Sequence, residues 1–363
     1  MTKNFKIEER GGVREKIEFK KRNPAGALLE KDLNYVLSEC GEVWKEYQGA
    51  ELLITGGTGF IGRWLLETFL KANRELKLGA RLTVLSRHPE LFLEKAPHLK
   101  EAGIVWVKGD VRNFSISGVN PTHIVHGATT SSDPVDDGEM IETIVEGTRR
   151  VLDFATKNKT KKFLFLSSGA VYGSIPPEIS KVPESFSQGQ PLQGALSVYA
   201  QGKIEAEALC LDYAQKHLID LKIARCFAFV GAHLPLDAHY AIGNFIANAM
   251  RGEPIRIKSN GLSRRSYLYA ADLVIWLWTL LAKGSSCPVV NIGSEESLTI
   301  KELAQIVVEE IHPELEIILE NDPLSLPSRH YVPDCQTARR EYLLNSKIDL
   351  RESIRRTVEW LRQ

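Results

Sequence analysis

The stretch Ala50-Glu-Leu-Leu-Ile-Thr-Gly-Gly-Thr-Gly-Phe-Ile-Gly62 decides the fold. It is an apolar strand that runs into Gly56, Gly59 and Gly62, and a helical pattern begins directly after it at Arg63. Glycines at this spacing let the chain turn sharply off the strand, approach a pyrophosphate with its backbone and pack the new helix closely on the sheet. The N–H groups at the start of that helix are then free to bind the anion. The stretch predicts the phosphate turn of a dinucleotide-binding βαβ unit, against the alternative of a glycine-rich turn in another α/β domain.

Apolar strand candidates alternate with helical segments along the rest of the chain. The candidates are residues 82–85, 104–107, 123–125, 163–166 and 221–224. This alternation predicts an α/β fold, a doubly wound parallel sheet (Rossmann) with a smaller, discontinuous C-terminal substrate-binding domain. The longest apolar run, Leu273 to Ala282, has about half the length of a bilayer-spanning helix. It is therefore expected to be a buried core helix, and no membrane partner is expected.

These patterns divide the chain into three parts. Residues 1–49 are expected to form an N-terminal extension with one amphipathic helix, and residues 50–230 the dinucleotide-binding domain, to which part of 266–295 returns. Residues 231–265 and 296–363 are expected to form the substrate-binding part. The extension carries one apolar stripe at helical spacing: Leu33, Val36, Leu37, Cys40, Val43, Trp44 and Tyr47. Its helix is expected to dock on the Rossmann core, with a partner-subunit contact or a cover over the nucleotide side as the alternative.

A second constellation carries the chemistry. Tyr199-Ala-Gln-Gly-Lys203 begins a segment with a helical pattern, which places the phenol and the amine on one helical face. An ammonium beside a phenol, or a positive nicotinamide ring, favours the phenolate and so makes a better base at neutral pH. Upstream, a predicted parallel strand ends in Ser167 and Ser168, at the edge of the sheet where active-site residues collect. A Tyr and a Lys four residues apart also occur as ordinary surface pairs, and the order of the three motifs favours the catalytic interpretation.

Together these motifs make the chain resemble the extended short-chain dehydrogenase/reductase family, in its nucleotide-sugar epimerase, dehydratase and reductase branch. The resemblance covers roughly residues 50 to 363. It is carried by Thr55 to Gly62, Gly109 to Val111, His126 to Ala128, Ser167 to Gly173, Tyr199 to Lys203, Arg225 to Phe227, Arg265 to Tyr269 with Asp272, Asn291 to Gly293 and Thr357 to Trp360.

The resemblance implies the roles of the site residues. It makes Tyr199 the general base or acid, Lys203 its activator and ribose ligand, and Ser168 the hydroxyl that holds the reacting oxygen. It places Asn244 and Arg265 where the family grips the diphosphate and ribose of a nucleotide-diphosphate sugar. The implied cofactor-binding residues are Gly56, Thr58, Gly59, Phe60, Ile61, Gly62, Ser86, Arg87, Asp110, Val111, Gly127, Ala128, Tyr199 and Lys203. No metal ligand is expected. The protein is expected to form a homodimer.

The choice of cofactor depends on the end of the second strand. An NAD-binding domain commonly places an acidic residue there to bond the ribose hydroxyls. This chain has Ser86 and Arg87 instead, so a 2′-phosphate meets no carboxylate and can pair with a guanidinium fork. NADP(H) is therefore favoured over NAD(H), with the alternative that Arg87 is a surface residue and the cofactor is NAD.

The residues after Ser168 bear on the reaction. The resembling 4,6-dehydratases carry acidic residues there, and the resembling uronate decarboxylases carry a Glu in this turn, whereas this chain has Gly169 and Ala170. Neither side chain moves a proton, so hydride transfer at C4 of the sugar remains. The prediction is a 4-epimerase, with an NADPH-dependent 4-keto-sugar reductase as the alternative. A 4,6-dehydratase and a non-catalytic NAD(P)-binding protein are less favoured alternatives. Ala228 and Ile144 stand where the family often has Asn, which leaves the identity of the sugar open.

Composition excludes other classes of function. The 363 residues carry 46 basic and 46 acidic side chains, so no basic face is expected for nucleic acid. The five cysteines form no CxxC pair, which indicates neither a disulfide framework nor a zinc site. The first ten residues are charged throughout and lack the apolar core of a signal peptide. A cytoplasmic protein is expected.

Overall fold

The computed structural model describes residues 26–100, 102–129, 136–186, 196–236, 240–284, 288–320 and 330–363. The strands are β1 (Glu51–Thr55), β2 (Arg81–Ser86), β3 (Ile104–Lys108), β4 (His123–His126), β5 (Lys162–Ser168), β6 (Asp220–Cys226), β7 (Phe229–Val230), β8 (Ile255–Ile257), β9 (Arg264–Arg265), β10 (Leu268–Tyr269), β11 (Val289–Ile292), β12 (Leu298–Thr299), β13 (Ile317–Leu319) and β14 (His330–Tyr331). The helices are α1 (Glu30–Cys40), α2 (Phe60–Glu75), α3 (Pro89–Lys95), α4 (Asp137–Lys157), α5 (Val198–His217), α6 (Ala241–Arg251), α7 (Ala270–Ala282), α8 (Ile300–Ile311), α9 (Gln336–Tyr342) and α10 (Leu350–Leu361). Short 3-10 helices span Gly41–Tyr47, Pro97–Leu99 and Gly169–Tyr172.

Seven strands form one parallel sheet in the order β11-β6-β5-β4-β1-β2-β3. The predicted strands correspond to β2 through β6. Thr55 at the end of β1 pairs with Leu85 of β2 on one side and with His126 of β4 on the other, so the carboxyl ends of the central strands lie at one edge. The chain reverses its winding direction between β1 and β4, which is where such sheets bind ligands. The predicted doubly wound parallel sheet is confirmed.

Both faces of the sheet are covered by helices. Successive side chains of a strand point to opposite faces. Leu52 and Ile54 of β1 therefore join the apolar cluster that includes α1, α2 and α7, whereas Leu53 between them joins the cluster that includes α4 and α5. The strands are apolar at consecutive positions because neither face meets water. The edge formed by the carboxyl ends is thus left to carry polar side chains.

The N-terminal extension docks in cis on the Rossmann core. α1 packs on α2 and α7, and its carboxylate Asp32 is buried between the Tyr269 hydroxyl and the Arg356 guanidinium, each donating a hydrogen bond of 2.7 Å. The residues of the predicted apolar stripe lie on two helices of different type. Those up to Cys40 belong to α1, and those from Val43 to Tyr47 belong to the 3-10 helix that follows. The Tyr47 hydroxyl donates to the carbonyl of Trp278 at 2.6 Å. These buried contacts account for the apolar stripe.

The C-terminal half adds small sheets and helices beside the main sheet. β8 pairs with β13, and β9 lies between β12 and β14 in a three-stranded sheet. The predicted core helix is α7, and all thirteen of its residues are buried. No helix in the described ranges combines the length and apolar character needed to cross a membrane. The charged first ten residues and Cys287 lie outside the described residues.

Candidate active site

The turn after β1 has the geometry that its glycines predict. Gly56 has φ +76°, and a Cβ placed on it would lie 2.6 Å from the carbonyl carbon of Gly127. A Cβ on Gly62 would lie 2.5 Å from the backbone of Gly57, so α2 approaches the turn more closely than any side chain permits. No side chain caps the start of α2 at Gly59. The first N–H groups of the helix are therefore left for an anion such as a pyrophosphate.

A cleft of about 940 Å³ runs along the carboxyl ends of the strands. Most of the residues assigned to cofactor, catalysis and substrate by resemblance line it: Gly56, Thr58, Gly59, Phe60, Ile61, Gly62, Ser86, Arg87, Asp110, Val111, Gly127, Ala128, Ser168, Tyr199, Lys203 and Arg265. Asn244 is not among the lining residues, and it lies on the half-buried face of α6, three residues after Ala241, which does line the cleft. The volume, the glycine turn and the uncapped helix together fit a dinucleotide.

Tyr199 and Lys203 stand on the first turns of α5, whose N-cap is Ser197. Lys203 is buried, and its Nζ donates a hydrogen bond of 2.8 Å to the carbonyl of Leu166. That Nζ lies 4.7 Å from the centre of the Phe165 ring and 5.8 Å from the centre of the Tyr199 ring. Burial lowers the pKa of Lys203 to about 8. The amine is thus a proton carrier poised near neutrality at the base of the cleft.

Burial opposes ionisation of the Tyr199 phenol. Burial raises the pKa of Tyr199 to about 12, and its hydrogen bond with Ser168 opposes that rise. The role of Lys203 as activator of Tyr199 stays a prediction, and in the structure Lys203 does not offset this rise in the pKa. The physical reason is that desolvation of the phenolate outweighs an amine that is bonded elsewhere and stands 5.8 Å from the ring centre. Lowering this pKa requires a further positive charge beside the ring.

A buried ion pair between Glu207 of α5 and Arg225 of β6 holds the catalytic helix against the sheet. Glu207, one turn after Lys203, accepts hydrogen bonds from Arg225 Nη2 at 2.7 Å and from Ser167 Oγ at 2.5 Å. Arg225 Nη1 also donates to the Tyr172 hydroxyl at 2.9 Å. The pair thus ties α5 to the ends of β5 and β6. The sequence motifs contain Arg225 but not Glu207, although the position of Glu207 four residues after Lys203 puts it on the same helical face.

A buried, neutral histidine, His126, lies in β4 between the lining residues Val125 and Gly127. Thr148 donates its hydroxyl proton to the carbonyl of Ile144 at 2.6 Å, so His126 Nε2 must donate to Thr148 Oγ1 at 3.0 Å. His126 Nδ1 then accepts from the Thr55 hydroxyl at 2.6 Å. Burial lowers the pKa of His126 to about 3. Ile144, at a position where the family often has Asn, packs against the backbone of Gly202 between the two catalytic residues.

The end of the cleft beside β2 and β3, where the resemblance places the adenosine of the cofactor (the adenosine end), holds a set of charges. Asp110 accepts from Arg112 Nη2 at 2.8 Å and from Arg112 Nε at 2.9 Å, which lowers the pKa of the Asp110 carboxyl. The guanidinium of Arg87 is 43% exposed and lies 3.9 Å from Glu139 of α4. Arg87 thus has Glu139 and Asp110 as acidic neighbours, and it is accessible to a ligand beside Ser86.

Carboxylates are scarce in the cleft. Among the lining residues that the structure describes, Asp110 is the sole acidic side chain, and it lies at the adenosine end. Beside Ser168, the space that a side chain on Gly169 would need holds the Tyr331 hydroxyl, 2.8 Å from an ideal Cβ, and the Phe227 ring at 2.9 Å. Tyr331 was missed by sequence reasoning because it lies in a short strand far along the chain and carries no local motif.

Comparison with known proteins agrees with this geometry. The model of the NAD dependent epimerase/dehydratase family matches residues 52–293. UDP-glucuronic acid decarboxylase 3 of Arabidopsis thaliana is 32% identical over 310 residues, with 84% of this chain and 86% of the relative covered. UDP-glucuronic acid decarboxylase 5 of the same plant is 31% identical over 309 residues, with the same coverage of 84% and 86%.

Solved structures share the fold. UDP-glucose 4-epimerase of Thermotoga maritima, solved with UDP-glucose, superposes with a TM-score of 0.72 at 21% identity and covers 86% of this chain and 98% of its own. At that identity the likeness shows the architecture alone. The family match, with the glycine turn, the cleft and the Ser168, Tyr199 and Lys203 group, confirms the resemblance found in the sequence. The chain belongs to the NAD-dependent epimerase/dehydratase family of extended short-chain dehydrogenases/reductases and is an enzyme of that type.

Proposed function

We propose that this enzyme transfers a hydride at C4 of a nucleotide-diphosphate hexose and acts as a 4-epimerase. The observation that carries the proposal is the placement of Ser168, Tyr199 and Lys203 in one cleft whose described lining residues include a single carboxylate, that of Asp110. The names of the curated relatives, which act on UDP-glucuronic acid, support a nucleotide sugar as the substrate. The two residues after Ser168 support a reaction that needs no second acid.

The roles of the side chains follow from their positions. Tyr199 takes the proton of the sugar hydroxyl when that carbon is oxidised and gives it back on reduction. The nicotinamide ring, when bound, supplies the hydride acceptor and, by its positive charge, favours the phenolate. Ser168 holds the same sugar oxygen through its hydroxyl, and Lys203 orients the ribose and carries a proton. Epimerisation requires in addition that the keto sugar turn over within the cleft before reduction.

Elimination and decarboxylation are disfavoured by the same geometry. Each of these reactions moves a further proton, for which the resembling enzymes carry an acidic residue after the serine. Here Gly169 leaves room for the Tyr331 hydroxyl instead, and a Cβ at that position would lie 2.8 Å from it. The likeness to UDP-glucuronic acid decarboxylases thus supports the substrate class more strongly than the reaction.

We assign substrate binding to the part of the chain formed by residues 231–265 and 296–363. It supplies Arg265, whose guanidinium lies 5.6 Å from the centre of the Tyr331 ring at the wall of the cleft. A guanidinium fork is suited to a diphosphate. Asn244 is retained as a candidate for the nucleotide end, where the neighbouring Ala241 and Ile242 line the cleft.

The preferred cofactor is proposed to be NADP(H) rather than NAD(H). Support comes from the accessible guanidinium of Arg87 and from the absence of a carboxylate at Ser86. This observation also favours the second candidate function, an NADPH-dependent 4-keto-sugar reductase, since a reductase binds and releases a reducing cofactor. Arg87→Ser is expected to weaken NADPH binding at least about tenfold through loss of the charge-assisted pair, while NADH binding changes little. Arg74→Ser, at an exposed arginine of the same domain, is the control.

One experiment separates the candidate functions. Mass spectrometry identifies the nucleotide retained by the purified protein, and UDP-, dTDP-, CDP- and GDP-hexoses are then followed for change of configuration and for net oxidation of NADPH. Retained nucleotide with interconversion of C4 epimers and no net redox change supports the epimerase. Stoichiometric oxidation of NADPH by a 4-keto sugar nucleotide replaces it with the reductase. No change in any sugar nucleotide would contradict both proposals.

We also propose a homodimer in the cytoplasm. Ile204 and Leu211 on α5 are apolar and each 41% exposed, which suits a subunit contact along that helix. Four cysteines in the described residues are free and buried, in keeping with a reducing compartment: Cys40, Cys210, Cys226 and Cys335. Light scattering after size exclusion tests the assembly, and replacing Ile204 and Leu211 by Glu is expected to yield monomers.

A further inference from the structure

Arg63 of α2 lines the cleft beside the glycine turn. It directly follows Gly62, the last glycine of the turn, and its backbone N–H donates to the carbonyl of Gly59 at 2.9 Å. Side chains of an α-helix lean toward the N-terminus of their helix. The guanidinium of Arg63 is thus directed toward the end of α2 where no side chain caps the first N–H groups.

Two buried side chains hold this guanidinium in place. Its Cζ lies 4.7 Å from the centre of the Phe92 ring of α3, and its Nη1 donates a hydrogen bond of 3.0 Å to His233 Nδ1. Among the described residues, no carboxylate oxygen lies within 4 Å of the guanidinium. A guanidinium carries five N–H donors, so most of the donors of Arg63 are left for a ligand in the cleft.

His233 is fixed in the tautomer that accepts from Arg63. A guanidinium only donates, so His233 Nδ1 carries no proton and Nε2 carries it. That Nε2 lies 3.5 Å from Glu67 Oε1, and His98 Nε2 lies 3.2 Å from the same oxygen. The other oxygen of Glu67 accepts from the backbone N–H of Leu28 at 2.7 Å. Burial opposes ionisation of Glu67, but these contacts outweigh it and lower the pKa of the carboxyl. A carboxylate, a neutral imidazole and a guanidinium therefore follow one another toward the cleft.

The position of Arg63 is costly without a ligand. Burial of the half-buried guanidinium lowers the pKa of Arg63, and the charge of Glu67 behind His233 acts against that change. A partly desolvated charge without a close counter-charge is destabilising, and such residues are concentrated at functional sites. A diphosphate at the uncapped start of α2 would supply the negative charge that this end of the cleft lacks.

We propose that Arg63 binds the pyrophosphate of the dinucleotide through its guanidinium, and that His233 is the positioning residue that directs it. A fork of N–H donors fits the oxygens of a phosphate group. The inference rests on the dinucleotide-binding cleft and is independent of the reaction at the sugar. It is also separate from the proposed preference for NADP(H), because the pyrophosphate is common to both cofactors, whereas Arg87 is proposed to pair with the 2′-phosphate.

The first test measures cofactor affinity and needs no sugar. The full-length protein, freed of retained nucleotide, is titrated with NAD⁺ and with NADPH in a calorimeter. Arg63→Gln removes the charge and is expected to weaken binding of both cofactors about tenfold or more, because a charge-assisted hydrogen bond is lost. Arg74→Gln, at an exposed arginine of the same helix, is the control and is expected to leave both affinities unchanged. Unchanged affinity for NAD⁺ in Arg63→Gln, or a loss confined to NADPH, would overturn the proposal.

The second test separates positioning by His233 from support of its own loop. His233 has φ +66°, a conformation that glycine and asparagine tolerate. His233→Gly removes the acceptor for Arg63 and is expected to weaken binding of both cofactors about threefold or more. His233→Asn supplies an amide oxygen as the acceptor and is expected to retain more of the affinity.

The double variant gives a readout that a merely structural role of His233 would not produce. In an Arg63→Gln background, His233→Gly is expected to cause no further loss of affinity, because His233 acts on the cofactor through the guanidinium. An equal loss with and without Arg63 would overturn the positioning role. A wild-type protein that binds NAD⁺ more tightly than NADPH would remove the proposed cofactor preference and leave this inference intact.

Discussion

The buried pair of Glu207 and Arg225 offers a sharp test of how the catalytic helix is held. Glu207→Gln keeps the shape of the side chain and removes its charge. In the wild type the two side chains are only 8% and 15% exposed, and Arg225 makes hydrogen bonds to Glu207 of 2.7 Å from Nη2 and 3.0 Å from Nε. The substitution leaves the guanidinium buried without a counter-charge. Ser167, adjacent to the catalytic Ser168, loses its charged acceptor at 2.5 Å.

The magnitude follows from these contacts. Breaking a buried ion pair by neutralising one partner costs about 3 kcal/mol or more. A cooperative unfolding entropy of about 2.1 cal/mol/K per residue gives roughly 0.8 kcal/mol per degree for this chain, so the melting temperature is expected to fall by about 4 °C. Turnover is expected to fall as well, with retained nucleotide unchanged, because Ser168 shifts while the phosphate turn does not.

The assay is thermal and urea unfolding of the nucleotide-bound protein. Glu205→Gln is the matched control, because Glu205 lies two positions earlier on α5 and is exposed; it is expected to change the stability by less than about 0.5 kcal/mol. Arg225→Met combined with Glu207→Gln is expected to cost much less than the sum of the single changes. Equal stability of the two glutamine variants, or additive losses in the double variant, would refute the reasoning.

Three further outcomes are expected. Tyr199→Phe lowers turnover at least about 100-fold with nucleotide binding retained, because the proton acceptor is lost. Normal turnover of this variant would show that Tyr199 is not the proton acceptor. Gly56→Ala abolishes nucleotide retention because its Cβ would lie 2.6 Å from the Gly127 carbonyl carbon. Gly79→Ala is the control: it is also at positive φ but has nothing within 4 Å of its Cβ, so this variant retains nucleotide. Equal nucleotide binding by both variants would contradict the close approach at Gly56. Since burial raises the pKa of Tyr199 to about 12, the protonated phenol prevails near pH 7. Oxidation of the sugar, which uses the phenolate, is therefore expected to speed up as pH rises from 7, whereas reduction, which uses the phenol, is expected to stay constant; an oxidation rate that does not change with pH would contradict this.

Local spacing predicted much of the fold. The glycine turn and the alternation of strands and helices predicted a doubly wound parallel sheet, and the structure and the family match confirm it. The N-terminal stripe predicted a helix, but its division at Cys40 into an α-helix and a 3-10 helix was not visible in the pattern. Apolar periodicity reports which face is buried and does not resolve the helix type.

Predictions about charge were less secure than predictions about position. The four-residue spacing of Tyr199 and Lys203 predicted a shared helical face, and both side chains line the cleft. The same spacing predicted that the ammonium, or the positive nicotinamide ring, favours the phenolate; this stays a prediction, and burial acts against it by raising the pKa of Tyr199 to about 12. Desolvation depends on every element that packs around the ring, which no local pattern contains.

The sequence by itself determined the parallel sheet, the phosphate turn and the shared face of Tyr199 and Lys203, because each follows from residues a few positions apart. Only the tertiary structure decided that the Tyr331 hydroxyl lies beside Gly169 in the cleft and that Asp32 of the extension lies between Tyr269 and Arg356. These contacts join elements that are distant along the chain, and they form only when the sheet and the C-terminal part pack together. Spacing along the chain determines the local features, and packing in three dimensions determines the long-range contacts.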